Sequence, residues 1–183
     1  MNKARPIQSF FSMLLVCLIC AMAVTIVYEV TAPRIEELEL ARSNEARAAV
    51  LPGANGFTKV EDIELLDGVT EVYRANNNSG YAVTARAKGS SGYIETITGI
   101  DAGGVITGVK VTDVSGEISG LGTNVTLADY TDQYTGARAI TADPTDPGAA
   151  YIEAAERADE ASMAVFTCVS NSLLQVSGMG TVI

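Results

Sequence analysis

The 183-residue sequence contains no histidine and no tryptophan, and its three cysteines are Cys17, Cys20 and Cys168. Without histidine, Ser-His-Asp and Cys-His catalysis and most zinc sites are excluded. Three cysteines do not make a disulfide framework. Basic residues are also scarce, 12 against 22 acidic ones. The resulting net charge of −10 argues against a nucleic-acid partner, because nucleic acid binds to a basic face.

A long apolar run is present near the N-terminus. From Phe10 to Tyr28 the chain carries no charge, and about 19 such residues are enough to cross a bilayer as a helix. Lys3 and Arg5 precede the run, so the positive-inside rule places the N-terminus in the cytoplasm. We therefore expect a cytoplasmic N-terminus (1–9), a transmembrane anchor in contact with lipid (10–30) and an extracytoplasmic domain (31–183). The expected location is the cell (inner) membrane, crossed once, with the main domain on the outer or periplasmic face.

The alternative for this run is a cleaved signal peptide, because Ala21-Met22-Ala23 resembles a cleavage site. The apolar residues continue beyond that site to Tyr28, whereas the apolar region of a signal peptide ends before its cleavage site. This continuation favours an anchor. Cys17 and Cys20 lie on one helix face, where two small apolar side chains need no metal to explain them.

The remainder predicts an α+β fold. A helix is expected from Ala32 to Val50, with Pro33 in its first turn. Alternating apolar residues and intervening turns predict an antiparallel sheet. A turn-rich connector then precedes a mostly helical segment from Ala149 to Val176. The predicted strands are a short piece at Val60-Glu61, then Val69–Tyr73, Tyr81–Ala87, Ile94–Ile100 and Val105–Val114.

A glycine-rich stretch follows the last of these strands. Gly116, Gly120 and Gly122 fall within seven residues, and glycine lets backbone amides approach a ligand closely because it has no Cβ. Glu117, Ser119 and Thr123 add polar side chains. The stretch has no Walker lysine, and taken alone such a stretch is more often a simple turn than a ligand-binding loop.

The segment Gly116-Glu117-Ile118-Ser119-Gly120-Leu121-Gly122 resembles the E-T-P-G-L-G loop of FMN-binding domains. These domains occur in the G subunit of the Rnf ion-translocating electron-transport complex and in the C subunit of the sodium-translocating NADH:quinone oxidoreductase. Ile118 and Ser119 depart from the usual Thr-Pro. Further segments resemble the same family in order and spacing: Val50–Ala54, Gly80-Tyr81, Gly89–Ile94, Gly99–Asp101, Gly104–Val111 and Asp132–Gly136.

The resemblance implies an electron-carrying flavoprotein subunit of a membrane-bound, Rnf-type ion-translocating oxidoreductase, with the other membrane subunits as partners. FMN supplies the redox chemistry in such a subunit, so no catalytic residue and no metal are implied. The implied FMN-binding residues are Glu117, Ser119, Gly120, Leu121, Gly122 and Thr123 around the isoalloxazine and ribityl groups, with Thr167 at the phosphate and Ser170 beside it.

The family attaches FMN through the threonine of an S-G-A-T-x-T-S motif, as a phosphoester. One alignment lays Ala164–Ser170 over this motif and keeps Thr167 and Ser170, but Val165 and Phe166 then replace small residues and are expected to obstruct the hydroxyl. An alignment shifted by four residues places Met163 at the threonine, and methionine cannot form the ester. Two hypotheses therefore remain: FMN bound, covalently at Thr167 or otherwise, and a flavin-free paralogue that acts as a structural subunit or scaffold.

Two plainer expectations concern the same segment. A threonine within a helix commonly donates its hydroxyl to the carbonyl four residues earlier, which would account for Thr167 without a cofactor. Cys168 has no basic neighbour in the sequence to lower its pKa, so its thiol is expected to be inert.

Overall fold

A computed structural model describes residues 5–117 and 122–179 of the protein. The chain divides into two units, Met1–Ser43 and Asn44–Ile183. Helix α1 covers Arg5–Val50 with Pro33 in its interior. The separate helix expected to begin at Ala32 is therefore wrong, because the missing N–H of proline removes one backbone hydrogen bond without ending the helix. Within the described ranges, α1 is the one helix long and apolar enough to cross a membrane.

A five-stranded antiparallel sheet in chain order forms the centre of the second unit. This sheet and the long apolar N-terminal helix confirm the predicted α+β class. The strands are β1 Phe57–Lys59, β2 Val69–Ala75, β3 Gly80–Lys88, β4 Tyr93–Asp101 and β5 Ile106–Asp113. After the sheet come a 3₁₀ turn at Gly122–Thr126, α2 at Ala128–Thr131, a second 3₁₀ turn at Asp132–Tyr134, the short parallel pair β6 Ile140–Thr141 and β7 Ala150–Tyr151, and α3 at Asp159–Gly178.

Helix α3 covers one face of this sheet. Val83 and Ala85 of β3 pack with Cys168 of α3, and Ile94 of β4 packs with Val165 and Val169. Because successive side chains of a strand point to opposite faces, alternate residues of β3 and β4 meet the helix. All six of these apolar side chains are buried. The alternating apolar residues of β3 and β4 thus mark the face of the sheet on which α3 lies.

The C-terminal turn of α1 covers the opposite face. Ala46 and Val50 form a small cluster with Ala82 and Ile97. The Val50 carbonyl accepts a hydrogen bond from the Thr107 hydroxyl. It also occupies the space that a Cβ at Gly99 would need. Glycine at position 99 therefore allows the helix to approach the sheet.

Arg47 of α1 is buried rather than solvated. Its guanidinium lies 3.6 Å from the ring centroid of Tyr73, donates to Asn44 at 3.0 Å and pairs with Glu71 at 3.4 Å. A planar guanidinium suits this combined stacking and pairing. Arg47 therefore connects the C-terminal turn of α1 to the sheet.

The sheet has two ends, which we call the turn end and the loop end. The turn end carries the connections Asn76–Gly80 and Asp101–Val105, and the loop end carries Gly89–Gly92 and the residues after β5. Strands β3 and β4 have nine residues each. At about 3.3 Å per residue the two ends lie roughly 27 Å apart.

The predicted start of the last helix is wrong. Residues from Ala150 form β7 and an irregular segment, and α3 begins at Asp159. The alanines and glutamates of this stretch favour a helix by propensity alone. Pairing of β7 with β6 and the side-chain contact of Gln133 with Glu153 hold the segment in another conformation.

Candidate functional site

Glu117 joins two segments at the loop end. The Ser90 hydroxyl donates to its Oε2 at 2.6 Å, and the backbone amides of Ser91 and Gly92 donate to its Oε1 at 3.2 and 3.4 Å. These donors favour the ionised carboxylate, so the pKa of Glu117 is lowered, with the Ser90 hydrogen bond as the largest cause. The carboxylate thus fixes the loop after β3 against the segment after β5.

Glycines make this close approach of the two segments sterically possible. A Cβ at Gly92 would lie 2.6 Å from the Cα of Gly116, and a Cβ at Gly116 would meet Gly92 at the same distance. A Cβ at Gly122 would overlap the Glu117 side chain. Two segments that resemble the FMN-binding family therefore meet at this end: Gly89–Ile94, and the described residues Gly116, Glu117 and Gly122 of the glycine-rich stretch.

Three of the predicted site residues belong to the loop end. Glu117 is half-buried, Gly122 is buried at the start of the 3₁₀ turn, and Thr123 is half-buried beside it. Ser119, Gly120 and Leu121, also predicted for the site, lie outside the described residues. Glu117 and Gly122, which belong to the same glycine-rich stretch of the sequence, are in contact with each other.

Thr167 lies on the exposed face of α3. Its hydroxyl donates to the Met163 carbonyl at 2.8 Å, which is the local bond expected of a helical threonine. Val165 is fully buried, and residues two apart on a helix point about 200° apart. The expectation that Val165 obstructs the Thr167 hydroxyl is therefore wrong. Phe166 is half-buried and packs against the core.

The Cys168 thiol is inert, as expected. Its side chain is buried between α3 and the sheet, and burial raises its pKa to about 11. A thiol with that pKa is almost entirely protonated at neutral pH and is a weak nucleophile.

Ser170, the remaining predicted site residue, lines a cleft at the turn end. The cleft has a volume of about 650 Å³. Its walls come from the turns Asn76–Gly80 and Asp101–Val105, from the segment before β6 and from the C-terminal half of α3. Arg74 and Arg138 also line it. The structure therefore separates Ser170 from Glu117 and Gly122, which lie at the other end of the sheet.

The sequence analysis missed this cleft. Arg74 ends a strand and Arg138 follows a turn, and neither belongs to a local motif. Their proximity depends on the sheet and on the path of the chain from β5 to β6. The one available signal is indirect: both are arginines, in a chain with few basic residues.

The segment Asp132–Gly136 supports the fold through Tyr134 and Gln133. Tyr134 is fully buried, and its hydroxyl lies 2.8 Å from that of Tyr130, which bonds the Ser162 carbonyl at 3.0 Å. Burial raises the pKa of both phenols, so both stay protonated. Gln133 exchanges hydrogen bonds with the backbone of Glu153. This segment thus connects α2, α3 and the stretch after β7.

In comparisons with known proteins, no protein-family model and no curated protein matches the chain. Within residues 5–117 and 122–179, no group of three or more carboxylate or thiol side chains is arranged to hold a metal ion.

Proposed function

We propose that the protein is an electron-carrying flavoprotein subunit of a membrane-bound, Rnf-type ion-translocating oxidoreductase, anchored in the cell membrane by α1 and working with the other membrane subunits of the complex. The observation that supports the proposal is the meeting of Gly89–Ile94 with Gly116 and Glu117 of the glycine-rich stretch. These segments are far apart in sequence, both resemble the FMN-binding family, and Glu117 joins them by three hydrogen bonds.

The residues present are compatible with FMN. Thr167 offers an exposed hydroxyl that can accept the flavin phosphate as an ester, once its bond to the Met163 carbonyl is released. Glu117 is ionised, so it repels a phosphate and suits the uncharged parts of the cofactor. Bound FMN would supply the one- and two-electron chemistry. The protein would contribute binding and orientation, which needs no histidine.

Covalent attachment is tested by co-expressing the full chain with a flavin transferase and viewing a denaturing gel under ultraviolet light. We expect a fluorescent band from the wild-type chain and from Thr167→Ser, which keeps a hydroxyl. We expect no fluorescence from Thr167→Val, which keeps the shape and loses the hydroxyl. Fluorescence that persists in Thr167→Val would place the attachment at another residue.

A flavin-free structural subunit is the second candidate. The observation in its favour is that the Thr167 hydroxyl is fully accounted for by its own helix. Acid extraction of the native protein separates the candidates. A fluorescent band on the denaturing gel supports the flavoprotein, and so does about one equivalent of acid-released FMN where the band is dark. A dark band together with no extractable flavin would leave the structural subunit.

A further inference from the structure

We propose that the cleft at the turn end binds an organic oxyanion, a phosphate or carboxylate carried on an apolar body. Arg74 and Arg138 would hold the oxyanion, and Leu173, Leu174 and Val176 would contact the apolar body. All five line the same cleft of about 650 Å³. The cleft shares Ser170 with the residues implied for FMN, but its anchors Arg74 and Arg138 are not among those residues, and the proposal does not depend on a bound flavin.

The charges of the cleft point to an anion. Among the described residues, the guanidinium groups of Arg74 and Arg138 have neither a hydrogen bond nor an ion pair, although the chain has 22 acidic residues. In contrast, Arg47 and Lys59 both pair with Glu71. Guanidinium groups match the planar geometry of carboxylate and phosphate oxygens. Two of them, left without carboxylate partners in one concave site, form a receptor for an oxyanion.

Asp101 is the one carboxylate among the lining residues, and its own turn engages it. Its Oδ1 accepts the backbone amides of Gly103 and Val105, both at 2.8 Å. The carboxylate therefore shapes the turn that forms one wall. The charged side chains lining the cleft are two arginines and this aspartate, so an excess of positive charge remains.

The size of the cleft and its apolar wall favour an organic ligand over an inorganic ion. Sites for small organic ligands have volumes of about 300–1,000 Å³ and are mostly apolar with a few polar anchors. Ile100 is fully buried beneath the cleft, whereas Leu174 at its edge is 59% exposed. An apolar body that covered this wall would remove exposed leucine surface from water, which favours binding.

The test is isothermal titration calorimetry on the full-length protein in detergent micelles, with empty micelles as the blank. The probes are 1-naphthyl phosphate, 1-naphthoate, the neutral 1-naphthylmethanol and inorganic phosphate. We expect at least one of the two naphthalene anions to bind about tenfold or more tightly than the neutral alcohol, because the alcohol lacks the charge-assisted hydrogen bonds. Whichever anion binds more tightly identifies the head group.

Variants locate the binding. Arg74→Gln combined with Arg138→Gln is expected to weaken the tighter anion about tenfold or more and to leave the neutral alcohol unchanged. The matched control is Lys88→Gln, an exposed cation at the loop end, which should change nothing. Because Arg74 and Arg138 are exposed, the double variant should fold normally, and an unchanged thermal melt verifies this.

Three results would overturn the proposal: no binding of either naphthalene anion, equal binding of the alcohol, or unchanged affinity in a folded double variant. The same titration on Thr167→Val separates this site from the flavin. We expect the anion affinity to be unchanged there, even if the flavin hypothesis fails. Loss of anion binding in Thr167→Val would overturn the claim that the two sites are separate.

Discussion

Glu117 shows how one side chain defines the loop end. It accepts hydrogen bonds from three consecutive residues of another loop, and its neighbours Gly92, Gly116 and Gly122 leave no space for a Cβ. The position was selected from sequence as a polar residue for a flavin. Its contacts within the protein also give it a structural role, and the two roles are compatible because an ordered loop presents fixed backbone groups to a ligand.

The ionisation of the Glu117 carboxylate should control the conformation of the loop Gly89–Gly92. Its pKa is lowered below the ordinary 4.5, so its stabilising effect is complete above 4.5 and is lost as pH falls through the lower value of the folded protein. The backbone NMR signals of Ser91 and Gly92 should therefore shift with a midpoint below pH 4.5. In Glu117→Gln the shift should be absent.

Asp129→Asn is the control for this titration, because Asp129 is an exposed carboxylate outside the Glu117 contacts. Its amide titration at Ser91 and Gly92 should match that of the wild-type protein. A midpoint at or above pH 4.5 in the wild-type protein, or a shift that survives in Glu117→Gln, would contradict the assigned hydrogen bonds.

At the scale of elements, the fit of α1 to the sheet depends on one close backbone approach. The Val50 carbonyl stands over Gly99 of β4, and the Thr107 hydroxyl of β5 bonds to it. A side chain at position 99 would displace the helix end and weaken both contacts. The glycine is therefore required by packing rather than by backbone conformation.

Gly99→Ala should lower the free energy of unfolding by about 2 kcal/mol, since inserting atoms into a packed contact costs about 1–3 kcal/mol. Chemical denaturation followed by tyrosine fluorescence measures the change. Gly53→Ala is the matched control, because a Cβ there meets nothing within 4 Å, and its effect should stay within about 0.5 kcal/mol. Equal stability of the two variants would show that the end of α1 does not rest on β4.

Elements with strong local signals were predictable from sequence. Strands β3, β4 and β5 combine alternating apolar residues with glycine- and asparagine-rich turns, and their bounds agree with the prediction within about two residues. The pair of β6 and β7 has two residues in each strand, too few for a period to appear. Pro33 was misinterpreted because proline favours the first turn of a helix and disfavours its interior, and only the structure shows that α1 continues through it.

The residues of the candidate site and the cleft also divide into those that the sequence predicts and those that only the fold brings together. Glu117 and Gly122 were predicted for the site because they belong to one glycine-rich stretch of the sequence, and the structure brings them into contact. Arg74 and Arg138 were not predicted, because only the folded sheet and the chain leading to β6 bring them to one cleft. Local sequence patterns reveal residues that work with their neighbours in the chain, and long-range sites require the fold.

At the scale of the whole molecule, the chain combines an apolar N-terminal helix with an acidic second unit. The uncharged run in α1 from Phe10 to Tyr28 is about 28 Å long at 1.5 Å per residue, close to the hydrocarbon thickness of a bilayer. Lys3 and Arg5 precede the run, so the positive-inside rule predicts a cytoplasmic N-terminus.

Retention of α1 distinguishes an anchor from a cleaved signal peptide. We expect the chain to stay in the membrane fraction after alkaline carbonate extraction, at its full mass of 19.1 kDa before any cofactor is added.

In a Cys17→Ala and Cys20→Ala background, an impermeant maleimide should label Ser115→Cys from outside, because Ser115 is exposed and Cys168 is buried. Asn2→Cys should be labelled only after permeabilisation. A soluble product beginning after Ala23 would instead establish the signal peptide and would remove the membrane anchor from the proposed function.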